Sequence, residues 1–145
     1  MLHGIDPLLS PDLLHVLAAM GHGDRLAIVD ANFPAASHAR RLILVPGATA
    51  PALLSAVLSL LPIDDFQPDP LVVMEAVGDA TAIPEPVRDF TVILARHALS
   101  APTRLERHAF YDAARNAYAI VQTGERRFYG NILLTKGVVP PDASA

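Results

Sequence analysis

The chain contains no cysteine, which removes a disulfide framework, a thiol nucleophile and any cysteine-bound zinc. Charge is also sparse: charged residues make up 18% of the sequence, the formal net charge is −4, and like charges form no block. The basic footprint of a nucleic-acid partner is therefore missing. Low charge beside 52% hydrophobic content also runs against the balance that keeps a chain disordered. No apolar run approaches the roughly 20 residues that span a bilayer as a helix, so no membrane partner is expected. There is no glycine-rich phosphate loop carrying a lysine and no dinucleotide fingerprint, which sets nucleotide chemistry aside. The six histidines, His3, His15, His22, His38, His97 and His108, show none of the paired helical spacing of a zinc motif, so no metal is expected. Met1 to Pro7 lacks the basic stretch and long apolar core of a signal peptide. The expected location is cytoplasmic.

What is present fits one domain over residues 1–145, with a loose tail at about 140–145. Mean hydropathy is +0.35, more apolar surface than one small monomer readily buries, and a homo-oligomer is expected. The 13 prolines exceed the usual share of about 5% and fall where elements begin or end. Ser10-Pro11 reads as a helix cap followed by proline at the first helical position. Leu13, Leu14, Leu17 and Met20 give that helix its apolar face, with Gly21 as a stop. Strands are expected at Arg25–Asp30, Arg41–Val45, Leu71–Val77, Arg104–Arg107, Tyr118–Gln122 and Asn131–Thr135. Further helices are expected after the Thr49 cap, from Pro84 or Glu85 through Ala98, and at Phe110–Asn116. The alternation predicts an α/β class with a central sheet covered on both faces.

Two polar clusters about a hundred residues apart interrupt this apolar text. The first is Met20-Gly21-His22-Gly23-Asp24 with Asp30-Ala31-Asn32-Phe33-Pro34-Ala35. The second is Gly124-Glu125-Arg126-Arg127-Phe128-Tyr129-Gly130-Asn131. Each sits at the mouth of an expected strand, where ligand crevices form in open α/β sheets. His22, between two glycines, reads either as a turn residue or as an imidazole able to exchange a proton near neutral pH. Asp30 either caps the next turn or offers a carboxylate at the strand mouth. His22 and Asp30 converge if the strand runs back beside the turn. Asn32 and Ser37 are loop hydrogen-bonders or ligand contacts. Arg107, beside Glu106, reads first as half of an exposed ion pair. Tyr129-Gly130-Asn131 combines an aromatic hydroxyl, a flexible glycine and a two-way amide, a mixture suited to a polyhydroxylated ligand or to a hairpin turn.

These segments, with Glu106-Arg107-His108-Ala109-Phe110-Tyr111, Thr123-Gly124-Glu125 and Tyr129-Gly130-Asn131-Ile132-Leu133-Leu134, resemble the ribose pyranase and fucose mutarotase family, the fucose branch more closely. The likeness runs in one register from Leu8 to about Pro140. It implies a cofactor-free cytoplasmic isomerase that interconverts the α and β forms of a free monosaccharide, L-fucose or a related sugar. It also implies a three-layer α/β/α fold with a central mixed sheet, assembled into rings, often decamers, with sites near subunit contacts. By the same resemblance His22 is the proton donor, and Asp30, Arg107 and Tyr129-Gly130-Asn131 bind the sugar. Asp30 or Tyr129 then assists at the anomeric hydroxyl. The alternatives are pyranose–furanose interconversion of D-ribose and a non-catalytic sugar-binding protein accessory to transport. Metal-dependent hydrolysis by a histidine cluster is a more distant third. Two departures stand out: Leu44-Val45-Pro46-Gly47 replaces a basic-small-acidic-glycine run, and His108 replaces an aromatic residue.

Overall fold

The computed structural model describes residues Met1–Asp142. The last residues of the expected loose tail, 143–145, lie outside the described ones. Helix α1 (Pro11–Ala19) starts where Ser10 Oγ accepts the Leu13 N–H at 3.3 Å. The same device opens α3 (Ala50–Leu58), where Thr49 Oγ1 accepts the Ala52 N–H at 3.3 Å. Such a cap satisfies one of the helix's unpaired donors and contributes about 1 kcal/mol. The other helices are α2 (Ala35–His38), α4 (Glu85–Arg96) and α5 (Arg107–Arg115). The strands are β1 (Arg25–Val29), β2 (Leu42–Val45), β3 (Leu71–Met74), β4 (Thr103–Leu105), β5 (Ala119–Thr123) and β6 (Ile132–Thr135).

These strands form one sheet in the order β2-β5-β1-β6-β3-β4. β1 is parallel to β5 and β5 to β2, and β3 is parallel to β4. β6 runs antiparallel between β1 and β3, so the sheet is mixed. Central strands are buried on both faces, which explains the unbroken apolar runs Leu26–Val29 and Leu71–Met74. Side-chain alternation then sorts them. Leu26, Ile28, Leu71, Val73, Val121 and Leu134 pack under α1, α3 and α4. Ala27, Val29, Val72, Met74, Ile120 and Leu133 pack under α2 and α5. The result is the three-layer α/β/α arrangement that the resemblance implied. Phe90 anchors one layer and Phe110 the other, both fully buried; truncating either to alanine removes about 3–5 kcal/mol.

Several details differ from the sequence expectation; the strand expected at Leu71–Val77, for one, ends at Met74. The four-residue α2 was not foreseen, since one turn carries no apolar periodicity. The segment expected as a strand at Arg104–Arg107 is strand only over Thr103–Leu105, and Arg107 is the first residue of α5. The cause is Glu106, whose carboxylate accepts the N–H groups of His108 and Ala109 at 2.9 and 3.1 Å and starts the helix three residues before Phe110. Gly21 does not end α1 in a left-handed conformation; Met20 is extended, and Gly23 carries the positive φ of 87°.

Because only β6 is reversed, the carboxyl ends of five strands and the amino end of β6 meet at one sheet edge. The opposite edge holds the start of β1 and the end of β6. Gly124 sits on the first edge under Pro46, whose carbonyl oxygen leaves no room for a Cβ there. This close approach joins the Leu44–Gly47 segment to the loop that carries the site.

Candidate functional site

Asp30 follows β1 directly and is 4% exposed. Its carboxylate is held by two backbone donors: Oδ1 accepts the Asn32 N–H at 3.0 Å and Oδ2 accepts the Gly130 N–H at 3.2 Å. Its own N–H donates to Asn131 Oδ1 at 2.9 Å. That bond fixes the Asn131 amide oxygen on the Asp30 backbone, and the Asn131 side chain also helps to stabilise the Asp30 carboxylate. Burial pushes the Asp30 pKa above the ordinary aspartate value, against the pull of the Asn32 and Gly130 N–H groups. The group is thus a carboxylate of raised basicity with lone pairs to spare.

Tyr129 stands opposite with φ at +63°, a conformation rarely taken by a bulky residue and one that calls for a functional explanation. Its hydroxyl oxygen accepts the Val77 N–H at 3.0 Å, leaving the O–H proton to donate elsewhere. Arg107, exposed at the start of α5, forms an ion pair with no carboxylate among the described residues. The expected pairing with Glu106 is not made, because that carboxylate caps the helix. These polar groups and Asn32 line a cleft of about 210 Å³, completed by Phe33, Met74, Val77, Tyr111 and Phe128. The volume falls below the usual range of about 300–1,000 Å³ for drug-sized ligands. On the far side of Phe128 and Tyr129 lies a larger groove of about 510 Å³ against Ala82–Pro86. There Glu85 and Arg127 occupy each other at 3.1 Å, so the smaller cleft offers the freer polar groups.

The loop carrying Tyr129 is braced from behind. Glu125, 2% exposed, takes Arg127 Nε on Oε1 at 3.0 Å and Nη2 on Oε2 at 3.1 Å. Arg127 Nη1 reaches on to Asp89 of α4 at 2.9 Å. Burial pushes the Glu125 pKa up, but the Arg127 donors and charge outweigh it, and the net direction is downward. Arg127 is itself held more firmly protonated, chiefly by Glu125. Gly130 packs so tightly here that a Cβ would lie 2.7 Å from Glu125 Cγ.

His22 is elsewhere. It precedes β1, whereas Asp30 follows it, so the two occupy opposite edges of the sheet, roughly 16 Å apart for five strand residues. The convergence expected within one chain is therefore not made. His22 Nε2 lies 3.0 Å from Asp64 Oδ1, and its ring packs on Phe66 with centroids 5.3 Å apart. Ser37 bonds locally to the Pro34 carbonyl and His38 Nδ1 and is not part of the cleft. His108 sets its ring edge-on to Tyr111, centroids 6.2 Å apart. The structure thus brings together Asp30, Arg107, Tyr129 and Asn131, with Gly130 supporting them through its N–H. Sequence reasoning assigned no role to Tyr111 and Phe128, although both lie in segments it singled out, and it missed Val77, which it placed at the end of an expected strand. It also missed Asp64, which stands outside every helix and strand.

Fold and cleft together define a class: a three-layer α/β/α protein with a small polar cleft at the carboxyl edge of its sheet. Residues 3–139 match the RbsD / FucU transport protein family, and the chain belongs to that family. Among solved structures it is similar to the fucose mutarotase of Streptococcus pneumoniae in complex with L-fucose. The two share 41% identity with a TM-score of 0.91, over 96% of this chain and 100% of that one. FucU from Bifidobacterium longum is 37% identical with a TM-score of 0.89, covering 94% and 99%. Bacillus subtilis RbsD complexed with D-ribose shares the fold at 21% identity and a TM-score of 0.75, covering 97% and 99%.

Proposed function

We propose that this protein is a sugar mutarotase that interconverts the α and β anomers of a free monosaccharide, L-fucose in the first instance. The supporting observation is the convergence of Asp30, Asn131, Tyr129 and Arg107 on one small cleft, in a chain 41% identical to a fucose mutarotase. Likeness to the ribose-bound protein is far lower, at 21% identity, which favours fucose over ribose.

Mutarotation breaks and remakes only the C1–O5 bond. A proton leaves the anomeric hydroxyl, another joins the ring oxygen, C1 becomes a carbonyl, and reclosure on its other face gives the second anomer. One base and one acid suffice, each contributing about 10²–10⁴-fold. The hydrogen bonds divide the roles. Asp30 is an acceptor of raised basicity and takes the anomeric proton. Tyr129, its oxygen already receiving the Val77 N–H, donates its own O–H to the sugar. Asn131 Nδ2 and the Arg107 guanidinium, which has no carboxylate partner among the described residues, hold further hydroxyls.

The acid is His22, and its distance from Asp30 within one chain requires that a second copy supply it. Exposed apolar groups border both halves of such a contact: Phe66 (74% exposed) beside His22, and Phe128 (73%) and Val77 (61%) around the cleft. Joining one end of the chain to the other end of its neighbour is a heterologous contact, the kind that closes into rings.

Saturation-transfer NMR on equilibrated L-fucose tests the activity. Faster exchange between anomers with protein than without is expected, and His22→Ala should remove most of the gain. Binding without faster exchange, for fucose and for a panel including ribose and galactose, would make the protein a sugar binder instead.

A further inference from the structure

Tyr129 is held against its own torsional preference. Its φ of +63° lies in the left-handed region, which a bulky side chain keeps only when its surroundings over-determine it. The residue after it is fixed: the Gly130 N–H donates to Asp30 Oδ2 at 3.2 Å, and Glu125 leaves no room for a Cβ there. The hydroxyl is fixed as well, by the Val77 N–H. The residue before it, Phe128, is exposed and cannot hydrogen-bond through its side chain. The anchor on that side falls to Arg127.

Arg127 meets three carboxylates. Its backbone N–H and its Nε both donate to Glu125 Oε1 at 3.0 Å, and Nη2 donates to Oε2 at 3.1 Å. Nη1 reaches α4, donating to Asp89 Oδ2 at 2.9 Å and to Glu85 Oε1 at 3.1 Å. Glu125 is a stiff base for this contact. It is buried, its N–H donates to Thr123 Oγ1 at 3.1 Å, and its carbonyl accepts the Ala31 N–H at 2.9 Å, next to Asp30. A guanidinium presents its donors as a planar fork, so partners on two sides set its direction as well as its place. Val77 lies shortly after β3 and Glu85 opens α4. Tyr129 therefore grips one end of the β3–α4 connection while Arg127 grips the other. A segment attached at one end can pivot; attached at both, it keeps one orientation.

We propose that Arg127 is the positioning residue for Tyr129, its guanidinium spanning Glu125 and α4 so that the Tyr129 hydroxyl stays on the Val77 N–H with its own proton free for the cleft. A hydroxyl that already accepts one bond has a single O–H to give, and that bond weakens steeply once distance or angle drifts. A small tilt of the backbone at Arg127 reaches the hydroxyl enlarged by the length of the tyrosine side chain. The Glu125 contact carries most of the hold, because that side chain is 3% exposed. Asp89 and Glu85 are 46% and 75% exposed, so solvent and salt screen their share. The catalytic half of the inference rests on the mutarotase reading above; the placement of the hydroxyl does not.

Placement is read from the Val77 amide resonance of the ¹⁵N-labelled full chain. Tyr129→Phe moves that resonance by deleting the acceptor, and Arg127→Ala should move it in the same direction. A variant carrying Glu85→Ala and Asp89→Ala frees Nη1 but leaves the buried Glu125 contact, which keeps a folded chain for the test; it should move the amide less far. An amide unmoved in every folded variant overturns the proposal, and one moved by Arg127→Ala alone strikes α4 from it. Fucose exchange is measured alongside. Arg127→Ala should lower kcat/KM toward the about 10-fold loss expected of Tyr129→Phe. In the Tyr129→Phe background it should cost no more than about twofold. A loss of equal size in both backgrounds means that Arg127 does not act through the hydroxyl, and overturns the positioning role. A parent that binds fucose without speeding its exchange removes the mutarotase reading, while the Val77 amide still decides what holds Tyr129.

Discussion

Asp30 and Asn131, a hundred residues apart in sequence, lock each other in place: the Asp30 N–H donates to Asn131 Oδ1 at 2.9 Å, with both residues buried. The bond joins the loop after β1 to the start of β6. It also commits the oxygen end of the Asn131 amide, so that only its NH2 end can donate to a ligand.

Asn131→Ala should therefore act twice. A buried N–H loses its acceptor, which costs about 1–3 kcal/mol of stability, and the cleft loses a donor, which raises KM for the sugar. Urea unfolding and exchange kinetics on the same variant separate the two effects.

Tyr129→Phe keeps the ring but removes the hydroxyl. Val77 is exposed, so its N–H can turn to water and stability should hardly change. Loss of one donated hydrogen bond to the sugar should lower kcat/KM about 10-fold. A variant with unchanged kcat/KM would relieve Tyr129 of any role in binding.

Arg127→Ala strips Glu125 of its partner. Removing one member of a fully buried pair costs about 3–5 kcal/mol; Arg127 is one-third exposed, so a loss of about 1–3 kcal/mol is expected. Arg127→Lys should recover little of it, because the ammonium cannot supply the two-pronged contact made to both Glu125 oxygens. Chemical denaturation of the two variants decides this.

The pH dependences follow from opposite shifts. Glu125 has a folded-state pKa below its unfolded value, so its stabilising contribution is present at neutral pH and lost as pH falls through the folded pKa. Asp64 is shifted in the same direction and loses its contribution with the same sign. Asp30 is shifted upward: it favours the fold while protonated, and that contribution is lost as pH rises through its folded pKa. For catalysis this means that the base form appears later than for an ordinary aspartate. The acid limb of kcat/KM should therefore fall above the usual aspartate range, and Asp30→Asn should abolish the limb together with most of the activity.

Much of this architecture was legible because local chemistry and tertiary demand agree. Ser10 and Thr49 announce α1 and α3 as caps, and the unbroken apolar runs of β1 and β3 belong to strands covered on both faces. Asp30 and Tyr129–Asn131 are legible as strand-mouth residues, since such positions gather at one edge of a largely parallel sheet, whereas Arg107 reads locally as half of an ion pair and enters the site only through the family resemblance. The α5 boundary was misplaced because a glutamate cap, rather than apolar spacing, opens that helix. His22 was paired with Asp30 from their separation in sequence. The decisive signal was their order: one residue before a strand and one after it must lie on opposite edges. Asp64 had no local signal at all, because its partner is 42 residues away and joined to it only by the folded sheet edge.

The central claim, anomer exchange at a site made of Asp30 from one copy and His22 from another, is tested most directly by mixing two disabled variants. His22→Ala and Asp30→Asn, each nearly inactive alone, are co-assembled in equal amounts and assayed by NMR exchange of L-fucose. Random pairing leaves about a quarter of the contacts with both residues intact, so about that share of parental activity should return. A mixture no faster than its separate components would contradict the shared site.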